Sequence, residues 1–204
     1  MVEQGSKEWL EMRLGHVTAS NVAKILTKGE GKTRESYKWD LISQRLTGVI
    51  EESYTNEYMQ HGKDTEFQAR MAYEANSGTF VEQIDFVKHP TIKWIGVSPD
   101  GLVGEHGLVE IKCPKTVTHL NTLSTKQVPK QYIPQMQMQM WVTGRLWNDF
   151  VSFDPRLPYH LQYVQIPLVR DEEYIKVLSL EVEKFLLEIE SEIERLNHGT
   201  KIRD

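Results

Sequence analysis

The chain has 204 residues, a net charge of −5, 39% hydrophobic residues and 26% charged residues. This length suits one domain with a substantial core, and the composition is that of an ordinary globular protein, which excludes a disordered or fibrous chain. No apolar run approaches membrane-spanning length, residues 1–13 lack the features of a signal peptide, and the single Cys113 fits a reducing cytoplasm. We therefore expect one domain, no membrane partner and a cytoplasmic location.

The N-terminal part of the chain is predicted to be mainly helical. Ser6 is a candidate N-cap for a first amphipathic helix, and Thr18 or Ser20 can cap a second helix that carries Val22 and Ile25. The predicted elements are, in order, a helix over 6–13, the second helix ending near 26, a polar loop over 27–36, a helix over 37–46, and a helix over 56–75 that is interrupted near Gly62.

The remainder of the chain alternates strands and helices. The predicted strands cover 79–87, 92–98, 108–113, 147–153 and 160–166. Residues 131–143 are ambiguous, because the alternation of Gln and Met has the period of a strand whereas both residue types favour helices. We predict a helix there, with Tyr132, Gln135 and Gln139 on one face and the methionines in the core. Residues 175–196 predict an amphipathic helix with an acidic solvent face, and the whole pattern predicts an α/β domain.

The clearest chemical signal lies in residues 96–115. A Pro-Asp-Gly turn carries Asp100, and in the strand that follows Glu110 and Lys112 share a face because side chains alternate along a strand. Mg²⁺ binds through one or two carboxylates and keeps several waters. Asp100, Glu110 and the backbone carbonyl of Ile111 are therefore candidate ligands, with Lys112 acting on the attacking water. The alternative is a surface hairpin with an exposed Glu–Lys pair.

A second polar group surrounds the start of the predicted second helix. Arg13, Thr18 and Ser20 would bring an arginine and two hydroxyl groups to that helix N-terminus. Such an end binds anions, because its free N–H groups and its dipole both favour negative charge. Ordinary helix capping, which needs no ligand, is the alternative.

The charges are unevenly distributed along the chain. Residues 171–195 carry 9 acids and 3 bases, a local charge of −6, so the remainder of the chain sums to +1. No acid occurs in residues 111–148, whose bases are Lys112, Lys115, Lys126, Lys130 and Arg145. This distribution predicts a positive cleft on an acidic body, which is suited to a nucleic-acid substrate.

Several ordered blocks resemble the phage λ exonuclease and YqaJ-type viral recombinase family, within the PD-(D/E)xK nuclease superfamily. The blocks are Arg-Leu-Gly-His-Val-Thr-Ala-Ser at 13–20, His-Gly-Lys-Asp-Thr-Glu at 61–66, Ser-Pro-Asp-Gly-Leu at 98–102, Leu-Val-Glu-Ile-Lys-Cys-Pro at 108–114, Tyr-Ile-Pro-Gln-Met-Gln-Met-Gln-Met-Trp-Val-Thr at 132–143, and Phe-Asp-Pro-Arg at 153–156. The resemblance implies a PD-(D/E)xK nuclease core, with a central mixed β-sheet flanked by helices, in a single exonuclease domain over 1–204. The match is poor around residues 27–36.

The resemblance also implies a role for individual residues. In the catalytic centre, the metal ligands would be Asp100, Glu110 and the carbonyl of Ile111, and the residues acting on water and metal would be Lys112, Glu66 and Gln135. At the end of the DNA, the terminal 5′ phosphate would be bound by Arg13, Ser20 and Ser98, and the strands would be separated by an apolar wedge at Met59.

The implied activity is that of a Mg²⁺-dependent 5′→3′ exonuclease, with Mn²⁺ as the alternative metal. Such an enzyme resects one strand of duplex DNA to mononucleotides and leaves a 3′ single-stranded overhang for recombination by annealing. The implied partners are DNA ends with a 5′ phosphate, a single-strand annealing protein and two further copies of the chain in a homotrimeric ring, in a bacterial or phage-infected cell. The alternatives are a restriction-type endonuclease, which also cuts closed circular duplex, and a non-catalytic DNA-binding relative.

Overall fold

The structure is a computed structural model that describes residues 6–27, 32–50 and 57–199, with the side chains of residues 57–64 outside this description. The helices are α1 (Lys7–Arg13), α2 (Val22–Ile25), α3 (Lys32–Thr47), α4 (Glu57–Ser77), α5 (Thr116–Thr125), α6 (Ile133–Thr143) and α7 (Glu172–Gly199). Short 3₁₀ turns cover Ala19–Asn21, Lys130–Tyr132 and Tyr159–Leu161. Among the described residues, no helix has both the length and the apolar character that crossing a membrane requires.

The strands of the described chain form two sheets. The strands are β1 (Val17–Thr18), β2 (Val81–Glu82), β3 (Val87–Lys88), β4 (Ile95–Val97), β5 (Gly101–Val103), β6 (Gly107–Lys112), β7 (Trp147–Phe153) and β8 (Tyr163–Val169). The larger sheet has the order β2-β5-β6-β7-β8, with β6 and β7 parallel and the other neighbours antiparallel. The smaller sheet has the order β1-β4-β3, with β1 parallel to β4. Mixed sheets flanked by helices are the predicted fold class.

One hydrophobic core joins the smaller sheet to the helices. Val22 of α2, Leu41 of α3, Met138 of α6 and Phe185 of α7 pack with Ile95 of β4, and each of these side chains is at most 2% exposed. Burying a side chain of this size contributes about 1.5–3 kcal/mol. This core fixes α6 against the strand that leads into the candidate site, and the predicted burial of the α6 methionines is confirmed.

A second core lies between α4 and the larger sheet. Ala69 and Tyr73 of α4 pack against Val109 and Ile111 of β6 and against Val151 of β7. Because side chains alternate along β6, Glu110 and Lys112 lie on the opposite face, towards α6. The second core therefore holds one face of β6, and α6 contacts the other face through the hydrogen bonds of Gln135 and Gln139 to Glu110.

Two predicted boundaries in the N-terminal part are wrong. The helix predicted to begin at 37 begins at Lys32, and its first turn is tied to α7 by Arg34, which donates to both carboxylate oxygens of Glu188 at 2.8 Å each. The helix around Gly62 is continuous rather than interrupted. In the first case a contact with a distant segment supports the added turn of α3. In the second case the surrounding helix overrides the weak helical preference of Gly62.

Predicted strands also differ from the observed ones. The single strand predicted over 79–87 is two short strands, because Val81 pairs with Val103 in the larger sheet whereas Val87 pairs with Val97 in the smaller one. The strand predicted over 92–98 is shorter, and the strand predicted over 160–166 begins after a 3₁₀ turn and ends at Val169. Helix α5 was not predicted at all. The differences in the strands concern which neighbour a segment pairs with, and a single sequence does not show that.

The two edges of the larger sheet are poorly suited to further pairing. One edge strand, β2, has only two residues. The other, β8, contains Pro167, which has no backbone N–H.

Candidate active site

Glu110 lies at the centre of the site and is only 1% exposed. Its Oε2 accepts a hydrogen bond from Nε2 of Gln139 at 2.6 Å, and its Oε1 accepts from Nε2 of Gln135 and pairs with Nζ of Lys112. The two glutamines are four residues apart on α6 and therefore lie on one face of that helix. A buried carboxylate with this many donors is not an exposed surface pair, so the alternative of a surface hairpin does not hold.

Asp100 lies beside Glu110 at the turn between β4 and β5. Its Oδ2 accepts a hydrogen bond from the backbone N–H of Ile111 at 2.6 Å, which ties the turn to the middle of β6. Burial, followed by the negative charges of Glu110 and Glu66, raises the pKa of Asp100 well above its usual value. Glu110 and Glu66 are thus both close enough to Asp100 to act on it, and Ile111 follows Glu110 on β6.

Lys112 supplies positive charge to these acids. Burial acts to lower the pKa of Lys112, but the charges of Glu110 and Asp100 outweigh burial and raise this pKa above its usual value. The Lys112 ammonium also lies 5.5 Å from the ring centroid of Tyr132, which stacks on Phe150 with centroids 5.4 Å apart. Lys112 is therefore held as a protonated donor on the same side of β6 as the carboxylates.

The chemistry of these groups fits a hard divalent cation such as Mg²⁺. Burial, followed by the charge of Glu110, disfavours the ionised form of Asp100 and raises its pKa despite the nearby Lys112 ammonium, and a divalent cation would offset both effects. Among the described residues, no group of three His, Cys, Asp or Glu side chains is arranged to hold a metal ion. Mg²⁺ does not require three, because it binds through one or two carboxylates and fills its octahedron with water and substrate oxygens. Asp100 and Glu110 would hold it, together with the carbonyl of Ile111.

Arg13 and Ser20, which were predicted to bind a phosphate, lie together. Nη2 of Arg13 donates to Oγ of Ser20 at 3.3 Å, and the guanidinium lies 3.9 Å from the ring centroid of Trp9. Burial lowers the pKa of Arg13 to about 10, which leaves it positively charged at neutral pH. No ion pair joins Arg13 to a carboxylate within the described part of the chain. This cation is partly withdrawn from water and is free to take an anion.

The helix N-terminus predicted at this place contributes little. Residues 19–21 form a 3₁₀ turn, α2 is a single turn of four residues, and neither Thr18 nor Asn21 makes a capping hydrogen bond with its side chain. Such a short helix has only a small dipole. Any anion site here rests on side chains rather than on a helix end, which corrects the prediction.

Ser98, the third predicted phosphate ligand, follows β4. The parallel pairing of Thr18 with Gly96 brings Ser20 and Ser98 to the same end of β1 and β4. The Oγ of Ser98 is buried and has no hydrogen-bond partner among the described groups. An unpaired buried hydroxyl is costly, and this one has a donor that a ligand could use. Ser98 also lies two residues before Asp100 and so links this group of residues to the carboxylates.

Gly96 allows an aromatic ring to form the floor beneath Arg13. A Cβ at Gly96 would lie 2.1 Å from Cζ of Phe86, closer than real atoms approach. The Phe86 ring in turn lies 6.0 Å from the Arg13 guanidinium carbon and 5.3 Å from the ring centroid of His16. His16 packs between this ring and Trp94, at 5.2 Å from the latter. The histidine is thus a packing residue.

Two predictions lie wholly or partly outside the described residues. The first concerns Met59, the predicted wedge. Its backbone belongs to α4, but its side chain is outside the description. The polar loop predicted over 27–36 includes residues 28–31, which are also outside the description.

Arg145 has a role that its position in the basic segment did not predict. Its Nη1 donates to the carbonyl oxygens of Gly104 and Gly107, at 2.9 and 2.6 Å. It therefore holds the turn between β5 and β6, the hairpin that carries Glu110. Arg145 therefore has a structural role, in addition to contributing positive charge to the basic segment.

Sequence reasoning missed two polar residues near Glu110. Gln139 was placed on the correct helix face but was given no role, and Asn148 in β7 was not considered. Nδ2 of Asn148 donates to Oε1 of Gln139 at 2.7 Å. The available signal was a polar residue, Asn148, in a strand that also carries apolar residues, since a buried amide requires a polar partner.

Comparisons with known proteins place the chain among viral recombinases and exonucleases. A family model described as "YqaJ-like viral recombinase domain" matches residues 8–146. The chain is 27% identical over 163 residues, 74% of its length, to the uncharacterized protein R354 of Acanthamoeba polyphaga mimivirus. It spans 29% of the length of that curated relative.

Solved structures show the same fold. The alkaline exonuclease LHK-Exo from Laribacter hongkongensis is 47% identical, with a TM-score of 0.91 over 95% of this chain and 97% of its own. LHK-Exo has also been solved in complex with dAMP, at the same identity and coverage. A phage related exonuclease from Haemophilus somnus shares the fold at 19% identity and a TM-score of 0.72, over 89% of this chain and 96% of its own.

Proposed function

We propose, because this chain belongs to the YqaJ-like viral recombinase family, that it is a metal-dependent 5′→3′ exonuclease acting on double-stranded DNA. The observation that carries the proposal is the cluster of buried Glu110 with partly buried Asp100 and Lys112, in a chain that matches an alkaline exonuclease over 95% of its length. The carboxylates suit Mg²⁺, with Mn²⁺ as the alternative.

The reaction is hydrolysis of a phosphodiester bond near the strand end. A divalent cation at Asp100 and Glu110 would supply Lewis acidity to the phosphoryl oxygens and would favour ionisation of the attacking water. The proton that this water loses would pass to a phosphoryl oxygen or to solvent, and the Lys112 ammonium would donate to the phosphoryl oxygens and offset the charge that develops on them. Gln135 and Glu66 position these groups, Gln135 through its hydrogen bond to Glu110.

The phosphate pocket, which we define as Arg13, Ser20 and Ser98, would select the 5′ end. A terminal phosphomonoester carries more negative charge than an internal diester, and a guanidinium binds it with a planar pair of donors. Burial of Arg13 strengthens this attraction because fewer waters compete for the cation. The unpaired Oγ of Ser98 adds a neutral donor and lies two residues from Asp100. A phosphate held there would leave the next phosphodiester at the carboxylates.

The proposed products are mononucleotides and a 3′ single-stranded overhang. The complex of LHK-Exo with dAMP supports mononucleotide binding by a protein of this type. Family resemblance further supports a homotrimeric ring that retains duplex DNA and a single-strand annealing protein that receives the overhang. Light scattering that gave a monomer mass at micromolar concentration would contradict the ring.

The test of this function is a digest of duplex DNA of defined ends. Linear duplex labelled at the 5′ end should release labelled mononucleotide in the presence of Mg²⁺ and release none with excess chelator, whereas closed circular duplex should stay intact. A label at the 3′ end should remain in a single strand. Cutting of closed circles would favour the endonuclease alternative. Absence of any metal-dependent release would favour a non-catalytic DNA-binding relative.

A further inference from the structure

We propose that Gln139 and Asn148 are positioning residues that form an amide relay, which holds the carboxylate of Glu110 in the orientation needed to bind a metal ion. The proposal rests on the proposed metal-dependent function and adds to it two residues with no assigned role. Neither residue needs to touch the metal or the DNA.

The relay runs from β7 through α6 to β6. Nδ2 of Asn148 donates to Oε1 of Gln139 at 2.7 Å, and Nε2 of Gln139 donates to Oε2 of Glu110 at 2.6 Å. Asn148 and Gln139 are both 0% exposed, and Glu110 is 1% exposed. The relay therefore approaches Glu110 from the closed interior of the fold.

The direction of each hydrogen bond follows from the chemistry of the groups. An ionised carboxylate only accepts, so Gln139 must turn its NH₂ group towards Glu110 and its oxygen towards Asn148. Asn148 must then donate to that oxygen, which turns its own Oδ1 away. This Oδ1 is buried and has no partner among the described groups. The unpaired oxygen is thus a consequence of fixing the amide of Gln139 in one orientation.

The relay leaves the two oxygens of Glu110 in different surroundings. Oε2 is bound from the interior by Gln139, whereas Oε1 is bound by Gln135 and Lys112, which are only partly buried. Oε1 is therefore the oxygen presented to the open side of the site. Groups that hydrogen-bond to a metal-binding carboxylate in this way orient it and tune its affinity for the metal.

Packing alone does not explain these two amides. The neighbouring Met138 and Met140 of α6 are fully buried apolar residues, and apolar side chains at 139 and 148 would avoid an unpaired oxygen. Gln137, two residues away, uses its amide differently, since it accepts from the N–H of Asp171 at 3.0 Å and donates to the carbonyl of Val169 at 2.9 Å. Gln137 joins backbone segments, whereas Gln139 serves a carboxylate.

The test measures binding of Mn²⁺ to the protein without DNA, by calorimetry or by the resonance signal of free Mn²⁺. The variants are Gln139→Met and Asn148→Leu, which keep the approximate shape of each side chain, and the double variant. Gln137→Met is the matched control, because it removes an equally buried glutamine from the same helix without touching Glu110. Circular dichroism and thermal unfolding report whether each variant folds.

We expect Gln139→Met to weaken Mn²⁺ binding about 10- to 100-fold. Asn148→Leu should weaken it less, and it should have no further effect once Gln139 is Met, because the two residues act in series. Gln137→Met should lower the unfolding temperature but keep the wild-type affinity for Mn²⁺. If Gln139→Met does not fold, weaker binding by folded Asn148→Leu supports the relay and wild-type affinity contradicts it.

Two failures can be told apart. Wild-type affinity in folded Gln139→Met, or additive effects of the two substitutions, would overturn the relay and leave the proposed function standing. A wild-type protein that binds no Mn²⁺ or Mg²⁺ would overturn the proposed metal-dependent function itself, and the relay with it.

Discussion

The carboxylate cluster and the phosphate pocket differ in how far the protein satisfies its own polar groups. Both oxygens of Glu110 accept hydrogen bonds, and Oδ2 of Asp100 accepts one from the backbone. In the pocket, by contrast, the Oγ of Ser98 has no partner among the described groups, and Arg13 makes one long hydrogen bond to Ser20. The protein therefore satisfies the polar groups of the cluster with its own hydrogen bonds, whereas the pocket keeps donors that a ligand can use. Substitutions in the two regions should have different consequences.

The largest effect is expected in the carboxylate cluster. Asp100→Asn and Lys112→Met should each lower the rate of nucleotide release on the order of 10³-fold or more, because water activation and charge stabilisation act as a unit. Lys176→Met, a substitution of an exposed lysine on α7 outside the basic segment, is the control and should retain most of the activity. Initial rates on linear duplex at saturating Mg²⁺ provide the measurement. A folded Asp100→Asn or Lys112→Met protein with a wild-type rate would refute the catalytic assignment.

A smaller effect is expected in the phosphate pocket. The wild-type protein should digest 5′-phosphorylated duplex faster than 5′-hydroxyl duplex. Arg13→Ala should remove most of that preference, at a cost of about 1.5–3 kcal/mol for the lost charged hydrogen bonds, or roughly 10- to 150-fold in rate. The 5′-hydroxyl duplex is the internal control, since its rate should change little. Retention of the full preference by Arg13→Ala would locate the phosphate elsewhere.

The smallest effect, and the sharpest contrast between the two regions, is expected from Ser98→Ala. The substitution removes a buried hydroxyl without a protein partner, so the unfolding temperature should stay the same or rise slightly. The preference for a 5′ phosphate should nevertheless fall by about 0.5–1.5 kcal/mol, the value of one neutral hydrogen bond. Thermal unfolding and the two-substrate comparison give both quantities. A clear loss of stability would mean that Ser98 serves the fold rather than a ligand.

The sequence was sufficient to predict the family, the α/β fold and the nuclease class, and the comparisons confirm these. It was also sufficient for the hairpin, because the turn and the alternation around Glu110 and Lys112 are local features. The face of α6 that carries Gln135 and Gln139 followed from helical spacing. The roles assigned to individual residues remain predictions.

What the sequence could not show depends on contacts between distant segments. Asn148 reaches Gln139 only because β7 pairs in parallel with β6 and lies beneath α6. The first turn of α3 is tied to α7 by the pairing of Arg34 with Glu188, 154 positions away. Helix α5 has a mixture of Thr, Asn and Ser that gives little helical signal. It is held instead by His119, which is fully buried and bonded through both ring nitrogens to Ser152 and to the carbonyl of Leu161.

The edges of the larger sheet limit how copies of this chain can associate. A strand from another molecule could pair with only two residues at β2. At β8 it would meet Pro167, which has no backbone N–H to donate. Continuous sheets that run from one molecule into the next are therefore disfavoured, and so is the fibre-like aggregation that starts from open strands. A ring of subunits that does not extend this sheet would be built from side-chain surfaces, so the geometry of its central opening would depend on loops and helices and could change without disturbing the strands that hold Glu110 and Lys112.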